Sequence, residues 1–89
     1  MNCEDTIITN KLGMHARAAA KFVSLANHYS SDVSLIRGEQ TVNGKSIMGI
    51  MMLAAAKGTE LRICVSGDDE AEACTSLVSL VNEKFGEKE

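Results

Sequence analysis

His15 lies in the run Gly13-Met14-His15-Ala16-Arg17, where a β-branched segment gives way to an alanine-rich one. An imidazole and a guanidinium therefore sit at the expected start of a helix. The first amides of a helix lack intrahelical acceptors and lie at the positive end of its dipole, so they attract anions. Neutral imidazole offers one ring nitrogen as a nucleophile, while the other N–H can hold the ring through a backbone bond. A phosphoryl group taken up by such a ring would meet the helix amides and Arg17 together. The charge-assisted hydrogen bond from arginine is worth about 1.5–3 kcal/mol, and the dipole adds about 0.3–1 kcal/mol. Together these hold a phosphoryl group without a metal. Taken alone the pattern is short enough to arise by chance, as a solvated histidine and arginine at a helix start. The rest of the chain has to decide.

The 89 residues make one expected domain, 1–89, with a modest core and little room for a deep cleft. A 45% hydrophobic content with only 3% aromatic residues implies an aliphatic core. The net charge of −3 lacks the basic footprint of nucleic-acid binding. No apolar run is long enough to span a bilayer, and Glu4 and Asp5 interrupt any signal-like start, so a cytoplasmic protein is expected. Cys3, Cys64 and Cys74 are odd in number and lack C-x-x-C spacing, which predicts reduced, partly buried thiols and no disulfide framework. Their spacing with His15 and His28 supports no zinc site. No metal or other cofactor is expected.

The elements that position the histidine follow from periodicity. Thr6–Thr9 reads as a strand, and Ala16 to about Asn27 as a helix burying Ala19, Phe22, Val23 and Ala26. Val33 and Leu35 alternate with polar residues, Arg37-Gly38-Glu39-Gln40 turns, and Thr41-Val42 begins the return strand. Ser46 is a good N-cap for a helix from Ile47 to about Ala56, with Gly58 closing it after Lys57. Leu61, Ile63 and Val65 mark a fourth strand. Gly67-Asp68-Asp69-Glu70 opens a last helix, where Asp69 and Glu72 have capping-box spacing. Its apolar stripe runs through Ala71, Cys74, Leu77, Val78, Val81 and Phe85. The order β-α-β-β-α-β-α predicts an α+β fold, a two-layer sandwich of four strands covered on one face by three helices.

The segment Ile8-Thr9-Asn10-Lys11-Leu12-Gly13-Met14-His15-Ala16-Arg17-Ala18-Ala19 closely resembles the active-site region of the histidine-containing phosphocarrier protein (HPr) family. A second segment, Val42-Asn43-Gly44-Lys45-Ser46-Ile47-Met48-Gly49-Ile50-Met51-Met52-Leu53, resembles that family's other signature. The spacing between them, the length and the element order also fit. The resemblance implies an antiparallel sheet in the order 1-4-2-3 and a protein that is not itself an enzyme but a covalent carrier. In the phosphoenolpyruvate-dependent phosphotransferase system, enzyme I would phosphorylate His15 at Nδ1. Arg17 would steady the phosphoryl oxygens, and an enzyme IIA domain of a sugar transporter would accept the group. One departure is Ala18, where the family usually has proline. Alanine keeps the helix and restores an N–H, but it preorganises the first turn less.

Ser46 is first an N-cap, typically worth about 1 kcal/mol. The resemblance adds a second role, since an HPr kinase/phosphorylase phosphorylates this serine in many bacteria. Such a phosphate would add about −2 charge near the His15 face. Ile47, Met48 and Met51 cannot all face inward together with Ile50 and Leu53, so some must lie exposed as a soft docking patch. Met52 belongs to the same methionine-rich run, and Arg17, Lys21 and Lys45 could ring the patch with positive charge. His28 is expected to be solvated or to cap the first helix. The expected partners are enzyme I, enzyme IIA domains and the kinase/phosphorylase, with no nucleic acid or membrane insertion, and the protein is expected to be a monomer. Alternatives are a nitrogen-related regulatory paralogue and an interaction module that is never phosphorylated. The Lys45-Ser46-Ile47-Met48 context favours the first reading over the paralogue, and intact His15 and Arg17 favour it over the module.

Overall fold

A computed structural model describes residues 1–89. Four strands, β1 (Asn2–Ile7), β2 (Asp32–Arg37), β3 (Gln40–Asn43) and β4 (Glu60–Ser66), form one sheet in the order β1-β4-β2-β3. Every pairing is antiparallel. Three helices, α1 (Ala16–Ala26), α2 (Ile47–Met52) and α3 (Glu70–Asn82), complete the β-α-β-β-α-β-α order, and a 3-10 turn follows at Lys84–Gly86. The fold class, element order and strand order are those expected.

Side-chain alternation assigns the faces. Leu61, Ile63 and Val65 of β4 and Val33 and Leu35 of β2 are buried, while Arg62 points away from the core and is exposed. Val33 lies opposite Val65 and Leu35 opposite Ile63, so cross-strand aliphatic pairs fix the register. The core cluster holds Ala18, Ala19, Phe22, Val23 and Ala26 of α1 and Ala73, Cys74, Leu77 and Val81 of α3. Only Phe22 and Phe85 bring aromatic rings into it, so the core is aliphatic.

Several elements depart from the sequence reading. β1 begins at Asn2 and ends at Ile7, because pairing with β4 recruits the polar residues Asn2, Glu4 and Asp5, which have little strand propensity of their own. Ile8 leaves the strand but stays fully buried. The turn is confined to Gly38 and Glu39, and β3 starts at Gln40. Helix α2 stops at Met52, well short of Ala56. Ala54 adopts φ 50°, and Arg37 Nη1 donates to the Ala54 carbonyl at 3.2 Å as well as to that of Leu53, so the chain turns inward and buries Ala55. Gly58 therefore caps no helix. Its N–H donates to Ile8 O at 2.7 Å in the turn before β4.

The Asp69–Glu72 capping box does not form. Asp69 instead receives the amides of Ser30 and Ser31, at 2.9 and 3.0 Å, and the Ser31 hydroxyl, tying the end of the α1–β2 loop to the start of α3. Those bonds, the Ser31 hydroxyl first, hold its carboxyl below the usual range. Ala71 is exposed and Ala73 takes its expected place in the core. Phe85 is buried but lies beyond α3, in the 3-10 turn.

The expectation of free thiols at every cysteine also fails. Cys3 and Cys64 face each other across β1 and β4 with a Cα–Cα distance of 4.1 Å and form a disulfide. Cys74 alone is free and buried, and burial pushes its thiol pKa upward. No helix is long and apolar enough to cross a membrane.

Candidate functional site

Residues 8–15 form a connection whose hydrogen bonds fix the start of α1. Asn10 is fully buried and donates its Nδ2 to Gly13 O at 2.8 Å. The Gly13 N–H returns to Asn10 O at 3.2 Å. Gly13 has φ +67°, and a Cβ there would lie 2.6 Å from Ala55 O, so only glycine fits. Met14 N–H donates to the same Ala55 carbonyl at 2.8 Å, which docks the loop on the segment after α2. The early end of α2 thus serves the site by placing that carbonyl.

His15 follows as the N-cap of α1, in an extended conformation with φ −75° and ψ 176°. Its carbonyl accepts the first helical bond, from Ala19 N–H at 2.9 Å. The amides of Ala16, Arg17 and Ala18 precede that bond and have no acceptor within the helix. No side chain caps them. The His15 side chain is 27% exposed. Arg17 is exposed and joins no ion pair, so its guanidinium is available one turn-fraction into the helix. Ala18 is fully buried.

The ring is not held by a backbone group, as the sequence suggested. Its Nε2 meets the Glu87 carboxylate, and Nδ1 makes no hydrogen bond. The other Glu87 oxygen accepts from Asn10 Nδ2 at 3.0 Å. The Asn10 bond, then the contact with His15 and the charges of His15 and Lys21, hold the Glu87 carboxyl below its usual range despite partial burial. The Asn10 Oδ1 is buried without a partner.

The C-terminal tail brings Glu87 there. Lys84 and Phe85 adopt φ 59° and 57°, reversing the chain after α3. Left-handed backbone at such residues costs about 1–2 kcal/mol each, here offset by the buried Phe85 ring and the bond from Lys21 Nζ to Phe85 O at 2.7 Å. Lys11 N–H then meets Glu89 O. Asn10 and Glu87 were not singled out in the sequence. Asn10 stood in the quoted motif as an unexplained polar residue, and Glu87 lies in a polar tail with no periodicity to mark it.

Ser46 caps α2, its Oγ accepting from Gly49 N–H at 3.1 Å. Ile47, Met48, Met51 and Met52 are exposed, with Met48 at 73% and Met52 at 72%, whereas Ile50 and Leu53 are buried. The spacing required that some of this run lie exposed, and these four do. Lys21 and Lys45 are each tethered, Lys21 to Phe85 O and Lys45 to Tyr29 O at 2.8 Å. His28 donates Nδ1–H to Ser24 O at 2.8 Å near the end of α1, a capping contact.

The family model described as "PTS HPr component phosphorylation site" matches residues 3–83. The chain is 55% identical over 87 residues to the phosphocarrier protein HPr of Pseudomonas aeruginosa, covering 97% of this chain and 96% of that one. It superposes on the crystal structure of HPr-C-His from Thermoanaerobacter tengcongensis with a TM-score of 0.96, at 44% identity and complete coverage of both chains. It also matches the structure described as an HPr dimer from the same organism, with a TM-score of 0.78 and 48% identity over 98% of this chain and 100% of that one.

Proposed function

The chain belongs to the HPr family of phosphotransferase-system phosphocarriers, and from that premise we propose that His15 is the residue that carries the phosphoryl group. As a family member it is a carrier and not a catalytic enzyme. The observation that supports His15 is its place as N-cap of α1, ahead of amides that lack helical acceptors, with Nε2 on Glu87 and no hydrogen bond at Nδ1. Enzyme I supplies the phosphoryl group and an enzyme IIA domain of a sugar transporter removes it. Arg17 steadies the phosphoryl oxygens by charge-assisted hydrogen bonds. Ile47, Met48 and Met51, with Lys21 and Lys45, form the surface on which both partners dock in turn. Residues 1–89 act as one cytoplasmic HPr-like unit, as a monomer. No metal or cofactor takes part.

Ser46 is the regulatory residue in this reading, a substrate for an HPr kinase/phosphorylase. Its side chain already accepts an amide at the start of α2, so the hydroxyl is near partly positive backbone groups and beside the exposed Ile47 and Met48. A phosphate there puts negative charge on the docking surface.

The test is transfer in both directions. Protein labelled by enzyme I and phosphoenolpyruvate, freed of both, should lose its label to a purified enzyme IIA domain. Label retained in the presence of several such domains would contradict the carrier assignment.

A further inference from the structure

We propose that Glu87 is a positioning residue for phosphoryl transfer at His15, keeping Nε2 protonated so that Nδ1 presents its lone pair. The inference rests on the reading of His15 as the phosphoryl acceptor. Its basis is geometric. The Glu87 carboxylate has one oxygen on His15 Nε2 and the other on Asn10 Nδ2 at 3.0 Å. Asn10 is fully buried and itself pinned to Gly13 O at 2.8 Å, so the carboxylate is anchored on a rigid side chain. The tail that carries Glu87 is fixed by the buried Phe85, the Lys21 bond to Phe85 O and the Lys11–Glu89 backbone bond. The charged group on the ring is Glu87 from the tail, and Lys21 from α1 acts on that carboxylate in turn.

A carboxylate can only accept a hydrogen bond, so the proton lies on Nε2 and the lone pair on Nδ1. When Nδ1 attacks phosphorus, the Nδ1–P bond forms and the bond from phosphorus to the donor's leaving atom breaks, its electron pair departing with the donor. Nε2 keeps its proton, and the positive charge that develops on the ring is met by Glu87. In onward transfer the acceptor attacks phosphorus and the Nδ1–P electrons return to the ring, which is neutral again with Nε2–H intact. A fixed carboxylate stabilises the charged ring as Nδ1 is phosphorylated and keeps Nε2–H in place through discharge.

The experiment uses the full chain labelled with nitrogen-15. The ring resonances of His15 report the tautomer directly, with no partner protein. Wild type should show Nε2–H as the sole neutral tautomer. Glu87→Ala should mix the tautomers. Glu87→Asp keeps the charge and should hold the single tautomer better than Glu87→Ala. Potassium phosphoramidate, a small donor that loses ammonia and needs no docking surface, should phosphorylate His15 more slowly in Glu87→Ala and Glu87→Gln. Glu87→Gln keeps the size of the side chain, so it separates loss of charge from loss of the tail's packing. A wild-type tautomer in Glu87→Ala together with wild-type phosphoramidate rates in Glu87→Gln and Glu87→Ala would overturn the proposal. Failure of enzyme I to label wild type would count against the carrier reading instead, while the tautomer and the phosphoramidate rate would still judge Glu87.

Discussion

At the residue scale the site consists of a ring, a guanidinium and the groups that hold them. His15 and Arg17 were readable because a nucleophile and a cation at the start of an alanine-rich segment have a physical meaning without neighbours. Glu87 and Asn10 were not. Their role depends on a tail folding back over the loop, where Gly86 marks a turn but nothing in the sequence shows that Lys84 and Phe85 before it are left-handed too and aim the tail at His15. Arg17 is exposed and makes no ion pair, so it should matter for transfer and not for folding. Arg17→Ala is expected to change stability by no more than about 0.5 kcal/mol. The same variant should slow phosphorylation of His15 by enzyme I or its discharge to an enzyme IIA domain. Thermal melts paired with rapid-quench transfer rates check both halves. Unchanged rates would make the arginine a bystander.

At the element scale, α1 and β2–β4 followed from their apolar spacing, but the connections did not. Ala54, Ala55 and Ala56 are all good helix formers, so their sequence predicts a longer α2 than the one that ends at Met52. Arg37, distant in sequence, binds the carbonyls of Leu53 and Ala54 and takes that segment out of the helix. The segment in turn presents Ala55 O to Met14 and crowds Gly13. Gly13→Ala combines a left-handed backbone with a Cβ 2.6 Å from that oxygen, so it should destabilise the protein by about 2–4 kcal/mol. Urea unfolding reads this as a lower midpoint at unchanged slope. Ser46→Ala should cost about 1 kcal/mol by losing the cap. Ser46→Asp carries a charge beside Met48, and enzyme I should phosphorylate it more slowly than wild type at low salt and less differently at high salt. Equal rates at low salt would leave Ser46 as a cap alone.

At the scale of the whole molecule, the aliphatic two-layer sandwich was foreseeable from composition and alternation. The covalent link between β1 and β4 was not. Cys3 meets Cys64 only because the register sets Asn2 against Val65, and register is decided by pairing across 61 residues of sequence. Closing a loop of that length is worth about 4 kcal/mol on the chain-entropy account, so dithiothreitol should lower the unfolding midpoint markedly. Alkylation under denaturing, non-reducing conditions should modify Cys74 alone, and three modified cysteines would show the bond to be absent. In the proposed reading the whole molecule offers one imidazole at the head of α1, and that claim has a direct test. Wild type and His15→Ala are each incubated with enzyme I and phosphoenolpyruvate, and intact masses are recorded before and after brief acid or alkali treatment. Wild type should gain a single phosphoryl group that acid removes and alkali spares, and His15→Ala should gain none. An equal mass gain in His15→Ala, or an acid-stable group on the wild type, would contradict the account.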